Sequence, residues 1–330
     1  MTDQSVQPKK FQLRVNPAYQ RVKDYLPAIS CIVLLGVFSA VLIDGFMNIN
    51  NIGAILLQAS VLAVVAMGAT IVVIAGDNGL DLSTGAVMIV GAMIGPNLRV
   101  GGRESLLAGF LLAMIIGAMI GCVNGLCVYY LKVPSLVMTM AMQGFVSGFC
   151  IFLTRSQLTV KIPKALASMN QVVFGPFRRM TLLVIALMVV LQLLLNRSKI
   201  GQLLLLTGNN REAARLNGIP VPAIAVGAFA ACSALAAAAG MLLVGYSGLV
   251  HIDMTKDYPM QAMAAVIIGG TKTSGGVGSF VGSVMGAIVL ILLNSILLAF
   301  NMPAGARTFI QGMVLLVILL INNRSAKLRQ

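Results

Sequence analysis

The chain has no tryptophan, a single histidine (His251), five cysteines and few charges: Asp, Glu, Lys and Arg make up 10% of its 330 residues. Soluble domains carry about 25% charged residues, so a water-soluble globular protein is excluded. The cysteines (Cys31, Cys122, Cys127, Cys150, Cys232) all fall in apolar stretches and form no C-x-x-C pair. With one histidine beside them, neither a disulfide framework nor a metal site is supported, and they read as small core-filling residues. No Gly-Lys-Ser or Gly-Lys-Thr occurs, which removes the P-loop and ATP splitting by that route. No Ser/His/Asp set can be assembled around His251, and no carboxylate pair is placed for acid–base work. No catalytic residue is assigned.

What is present is apolar: 58% of the residues are hydrophobic. A bilayer core of about 30 Å needs about 20 helical residues. Uncharged apolar runs predict ten spans: Leu26–Ile43, Ile52–Ala75, Leu82–Leu98, Leu106–Leu131, Pro134–Leu153, Met180–Leu195, Val221–Gly245, Tyr258–Gly270, Val277–Phe300 and Ala306–Ile321. The fold class is thus an all-α polytopic membrane protein of about ten transmembrane helices. Tyr258–Gly270 is too short to cross upright and is expected to be broken or re-entrant, so eight or nine crossings stay open. Residues 1–25 form a polar, basic tail, too long for the basic region of a signal peptide. The first apolar run is therefore expected to be retained, residues 26–322 to form one transmembrane domain, and residues 323–330 a second tail.

The net charge of +14 would suggest nucleic acid in a soluble protein. Here the bases flank apolar runs without interleaved aromatics, so a nucleic-acid partner is rejected. With both termini in the cytoplasm, 14 of the 23 Lys and Arg fall inside, the sign expected for cytoplasmic loops. Five of the outer ones (Arg155, Lys161, Lys164, Arg178, Arg179) share the stretch Thr154–Arg179. They either anchor to lipid headgroups or meet an acidic partner at the outer face.

Glycines recur every fourth residue at Gly117, Gly121 and Gly125 and at Gly278, Gly282 and Gly286, with a shorter pair at Gly91 and Gly95. On a helix this lays bare backbone along one stripe and lets another helix approach closely. Gln58, Ser60, Thr70, Asn124, Thr139, Gln143, Ser147, Asn294, Ser295 and Gln311 lie inside spans. They serve either interhelical hydrogen bonds or a route for a neutral polar solute. Charge at membrane depth is the sharper signal. Asp77 and Asp81 sit in A-G-D-N-G-L-D-L-S-T-G, where Gly76 and Gly79 break the helix and Ser83 is placed to cap the next. Either this backbone is irregular and buried in protein or against a water-filled cavity, or both carboxylates lie at the surface of a tight turn.

The hydrophilic island Gly208–Pro220 (G-N-N-R-E-A-A-R-L-N-G-I-P) carries its own helix punctuation. Asn209 or Asn210 suits an N-cap, Glu212 the positive end, and Gly218 with Pro220 the stop. A helix of about two turns is marginal alone in water. It is either an ordinary loop with a helical turn or a helix that docks through Ala213, Ala214 and Leu216. The run Gly269–Gly278 lacks a preceding strand and reads as a tight inter-helix turn, not a phosphate cradle.

The island resembles the cytoplasmic loop of permease subunits of ribose/galactose/xylose-type ABC importers, whose usual form is near G-G-N-P-E-A-A-R-L-S-G-I. Ala265–Ala287 is similar to that family's G-G-T-S-L-x-G-G-x-G-S segment, and G-L-D-L-S-T-G (Gly79–Gly85) to its G-I-D-L-S-V-G. The motifs keep their order and spacing, and the likeness runs from about Asn48 to Asn322. It implies an inner-membrane permease that pairs with a second copy, identical or homologous. It also implies a separate ATPase holding ATP and magnesium, none of it on this chain, and a periplasmic sugar-binding protein. Within the segment 196–220, Gly208, Glu212, Ala213, Ala214, Arg215 and Gly218 would form the coupling helix that the ATPase grips. The pathway would involve Asp77, Asp81, Ser83, Thr84, Asn124, Gln143 and Asn294. The basic stretch Thr154–Arg179 would receive the binding protein, although no family motif marks it. Asn209 stands where the family has Gly, Arg211 where it often has Pro, and Asp77-Asn78 where small uncharged residues are commoner. The rival reading is an ion-coupled secondary transporter with Asp77 and Asp81 as its titrating pair; a purely structural membrane scaffold is the third.

Overall fold

The computed structural model describes residues 17–76, 79–97, 99–100, 103–154 and 162–327. Among these the chain is almost wholly helical. The helices are α1 (Pro17–Leu42), α2 (Ile49–Ile74), α3 (Thr84–Ile94), α4 (Leu106–Tyr130), α5 (Ser135–Thr154), α6 (Lys164–Ala167), α7 (Arg179–Arg197), α8 (Lys199–Asn209), α9 (Arg211–Leu216), α10 (Val221–Ser247), α11 (Tyr258–Ile268), α12 (Phe280–Ala299) and α13 (Ala304–Lys327). Two small antiparallel hairpins complete it: β1 (Arg99–Val100) with β2 (Arg103–Glu104), and β3 (Val172–Phe174) with β4 (Phe177–Arg178).

Among the described residues seven helices are long and apolar enough to cross a membrane: α1, α2, α4, α5, α7, α10 and α12. Their burial sorts them into layers. The span in α2 is 89% buried, that in α10 72% and that in α12 61%, whereas α1, α4, α5 and α7 reach at most 22%. A helix apolar on every face belongs in a core or a bilayer, and here both occur. The outer helices turn Val41, Leu107, Phe145 and Phe152 outward, an apolar surface that suits lipid and not water.

Glycine sets the closest contact in the bundle. Gly117, Gly121 and Gly125 of α4 lie against Ser233, Phe229 and Val226 of α10, and a Cβ at any of them would overlap that backbone. Gly282 and Gly286 let α12 meet Gly269 and Ala265 in the same way. The expected third member, Gly278, precedes α12 and packs on the Ile74 side chain instead.

Two helices are half-length. α3 and α11 have 11 residues each, about 17 Å at 1.5 Å per residue, too short to span. The shortness of α11 is expected from sequence; that of α3 corrects the predicted span Leu82–Leu98. Asp81–Ser83 stay outside the helix, and α3 gives way to a 3-10 turn at Gly95–Asn97, which holds Pro96. The two N-termini meet: the Thr255 hydroxyl donates to the Gly85 carbonyl at 2.8 Å.

Other boundaries also move. α1 begins at Pro17, inside the expected tail, and α13 runs to Lys327. The apolar stretch after Met180 is two helices, because Ser198 leaves the helix (φ −82, ψ 153) and caps α8 by accepting from Gly201 N at 3.0 Å. Thr154–Arg179 is not a plain loop: α6, a 3-10 turn and the β3–β4 hairpin occupy its described part. That hairpin packs Pro176 on Gly53 near the start of α2, while Gly208 and Gly276 pack at its end, Ile74. The separation along α2 is about 32 Å, so the two stretches sit at opposite membrane faces. α1 starts at the α9 end, where the hydroxyls of Tyr25 and Ser279 bond at 2.7 Å.

Candidate functional site

The three stretches that carry the family resemblance come together at one end of α2. Gly208, in the last turn of α8, is wedged against the Ile74 carbonyl and the Gly276 amide; a Cβ there would overlap both. Gly76 (φ +85) abuts Gly208, Gly275 (φ +88) abuts Gly76, and Gly276 (φ +71) lies on Asn209. Gly276 N donates to the Ile74 carbonyl at 3.0 Å, which ties the α11–α12 connection to α2. Left-handed φ without a Cβ is what these turns require. The fused contact is therefore backbone on backbone, with no side chain between to absorb relative motion.

α9 hangs from this node. Asn210, and not Asn209, caps it: its side-chain oxygen accepts from Ala213 N at 2.9 Å. The six-residue helix ends where Gly218 (φ +76) turns left-handed, with Ile219 N returning to the Ala214 carbonyl at 3.1 Å. Glu212 and Arg215 form an exposed pair at 3.2 Å. The expected apolar face divides: Ala214 is buried against the bundle, whereas Ala213 and Leu216 face outward, Leu216 being 79% exposed. A cleft of about 560 Å³ separates α9 from the α4–α5 connection, lined by Tyr129, Lys132, Ser135, Arg211, Glu212 and Arg215 among others.

Asp81, Ser83, Thr84 and Asn124 gather into a second, fully buried group. Asp81 Oδ1 accepts from Ser83 N at 3.0 Å and from the Ser83 hydroxyl at 2.5 Å, and Oδ2 accepts from the Ser233 hydroxyl at 3.2 Å. Asn124 Nδ2 donates to Ser83 Oγ at 2.9 Å, and the Thr84 hydroxyl donates to the Asp81 carbonyl at 3.3 Å. Ser83 thus bonds Asp81 and does not cap α3 with its side chain. Ser233 lies twelve residues into α10, about 18 Å from its start, so irregular backbone enters the membrane here, buried in protein as physics requires. Of the two readings of this segment, the surface turn is ruled out for Asp81. Asp77 lies outside the described residues.

The other expected pathway residues lie apart from this cluster. Asn294 accepts from Gln311 Nε2 at 3.2 Å in a separate polar cavity, and Gln143 is half-buried on α5. Of the basic stretch, Arg155 and Lys161 lie outside the described residues. Lys164 and Arg179 are exposed, and Arg178 is half-buried and donates to the Asn170 carbonyl at 3.1 Å. Missed from sequence were the partnership of Ser233 with Asp81 and the role of Gln192 in α7. Its side-chain oxygen accepts from Ser279 Oγ, Phe280 N and Val281 N at 3.0, 2.9 and 3.4 Å. It caps α12 from a neighbouring helix; only an isolated Gln in an apolar run marked it.

Buried central helices under a lipid-facing shell, half-helices at membrane depth and an exposed capped helix at one face define a multi-pass permease of the bacterial inner membrane. More particularly, residues 51–319 match the family described as "Branched-chain amino acid transport system / permease component", and the chain belongs to it. Among its relatives is the Autoinducer 2 import system permease protein LsrC of Yersinia enterocolitica, 28% identical over 315 residues, covering 94% of this chain and 86% of the relative. The protein of that name from Escherichia coli is 28% identical over 300 residues, 91% and 86%. That from Yersinia pseudotuberculosis is 27% identical over 300, 91% and 83%. These likenesses make it an ABC importer permease of the ribose/galactose type. No solved structure matches the chain.

Proposed function

We propose that this chain is the translocation subunit through which autoinducer 2, or a related monosaccharide or polyol, crosses the inner membrane, driven by an ATPase on a separate chain. ATP and magnesium belong to that partner, and this subunit is not itself an enzyme. A second permease copy and a periplasmic binding protein complete the importer. Ten crossings follow from α1, α2, α3, α4, α5, α7, α10, α11, α12 and α13, irregular backbone completing those of the half-helices α3 and α11, with both termini and α9 in the cytoplasm. The basic residues flanking β3–β4, at the opposite face, receive the binding protein.

The observation that carries this reading is the convergence of Gly76, Gly208 and Gly275–Gly276 above α9. A pull on α9 passes through α8 into the end of α2 and the start of α12 with no compliant side chain in the path. Such a node moves as a rigid body between packed states. Glu212, Ala213 and Leu216 face outward as a handle. The buried Asp81 carboxylate, both of whose oxygens accept from donors of the chain itself, pins α3 to α10 and shapes the inner end of the route. That filling disfavours the ion-coupled rival.

Ala213 is exposed, so Ala213→Arg leaves folding intact and obstructs only the handle. Uptake is expected to fail while the variant reaches the membrane in normal amount. Normal uptake and normal ATPase assembly in that variant would falsify the coupling role.

A further inference from the structure

The polar cavity apart from the Asp81 group is lined by Gln58 of α2, Asp257 and Gln261 around the start of α11, Asn294 of α12 and Gln311 of α13, with the Tyr258 ring, Met254, Leu290 and Ile291 as its apolar walls. Its volume is about 210 Å³, below the roughly 300 Å³ at which drug-sized pockets begin. Its depth follows from helix rise. Gln58 lies about 24 Å along α2 from Ile74, and Asn294 about 21 Å along α12 from Phe280, at 1.5 Å per residue. Both figures place it in the outer third of a hydrocarbon core about 30 Å thick, on the side away from α9.

Four carboxamides at that depth are costly unless they bond. Each offers two N–H donors and an acceptor oxygen. Among the described residues the only hydrogen bond these side chains make with one another is Gln311 to Asn294. Asp257 does not cap α11 with its carboxylate. The Asp81 carboxylate, by contrast, has both oxygens bonded within the chain.

We infer that this cavity is a solute-binding station in the permease itself, taking a small, uncharged, polyhydroxylated compound. Interleaved amide donors and acceptors match hydroxyls, each of which donates once and accepts twice. The Asp257 carboxylate accepts from a hydroxyl and repels phosphate or carboxylate, and no Lys, Arg or His lines the cavity to offset that repulsion. The Tyr258 ring and Ile291 suit the C–H faces of a sugar-like ring. The inference rests on the import reading above and deepens it: the permease selects against anionic solutes after the binding protein has released its cargo.

The test uses the importer assembled with its ATPase and binding protein in proteoliposomes, with autoinducer 2, D-ribose, D-xylose and D-galactose as probes. Gln261→Leu and Asn294→Leu keep volume and remove bonding groups. Each is expected to slow uptake about tenfold, the scale of one to two lost hydrogen bonds, and to shift the preference for the transported solute over its deoxy analogue. Gln261→Asn should restore most of the rate, ATPase co-purification should not change, and Ser295→Ala, one residue beyond Asn294 and outside the cavity lining, should behave as the unaltered protein. If Asn294→Leu fails to reach the membrane, Gln261→Leu decides alone. Leucine variants that transport within twofold of the unaltered importer, or a fall shared by Ser295→Ala, would overturn the station and leave the ATPase-driven reading standing. Failure of the unaltered importer to move any of the four probes would overturn both.

Discussion

Removing the cap of α9 isolates what a single hydrogen bond contributes to the grip on a motor. Asn210 Oδ1 accepts from Ala213 N at 2.9 Å, and the helix it starts has six residues. A helix that short has no stability of its own in water, so its shape depends on the cap, the Gly218 stop and the burial of Ala214. Asn→Ala at an N-cap costs about 1 kcal/mol. Asn210 is exposed, so that loss falls on α9 and not on the bundle. At 1.4 kcal/mol per factor of ten, Asn210→Ala should weaken ATPase binding about fivefold, with membrane abundance unchanged. Asn210→Asp restores an acceptor and adds a charge that suits a helix N-terminus; it should bind at least as well as the unaltered chain. Affinity of the purified permease for its ATPase, by biolayer interferometry in detergent, reads this directly. Equal binding by Ala and Asp variants would refute the role of the cap.

Other expectations follow from the same geometry. Gly208→Ala forces a Cβ onto the Ile74 carbonyl and the Gly276 amide, and overpacking of about 1–3 kcal/mol should lower the thermal midpoint of the purified protein. Gly218→Ala has open space around it and should cost only the left-handed conformation, about 1–2 kcal/mol, visible in ATPase binding and not in bundle stability. Asp81→Ala strands the hydroxyls of Ser83 and Ser233, at about 1–3 kcal/mol for each buried unsatisfied group, so thermal melting should show a loss larger than that of any surface carboxylate. Gln192→Leu removes three bonds from the start of α12 and should lower the melting point, while Gln192→Glu, which keeps the accepting oxygen at a helix N-terminus, should recover most of it.

Much of this architecture is legible in residues because lipid enforces simple rules. Apolar runs mark helices, four-residue glycine spacing marks backbone contact, and Asn210 with Gly218 brackets α9 by capping chemistry that acts within a few residues. What sequence misses is non-local. Nothing near Asp81 names Ser233 as its partner, 152 residues away. Nothing near Gly208 says that its neighbours are Gly76 and Gly276, although Gly208 and Gly276 lie in recognisable motifs and Gly76 three residues before another. α3 reads as a full span because Leu82 and the run after it are apolar; Asp81 holds the first residues out of the helix through local bonds to Ser83, but the bond to Ser233 that buries it there is tertiary. The polar cavity is half visible: Gln58, Asn294 and Gln311 stand out as polar residues in spans, but their convergence with Gln261 depends on where the half-length α11 starts.

The central claim is that this membrane bundle is worked from α9 by a separate nucleotide-hydrolysing partner. The most direct measurement loads proteoliposomes of the assembled importer with ATP and magnesium on the ATPase side and collapses ion gradients with a protonophore. Solute uptake should continue at its full rate and stop when ATP is withheld. Uptake that persists without ATP and disappears with the protonophore would contradict it.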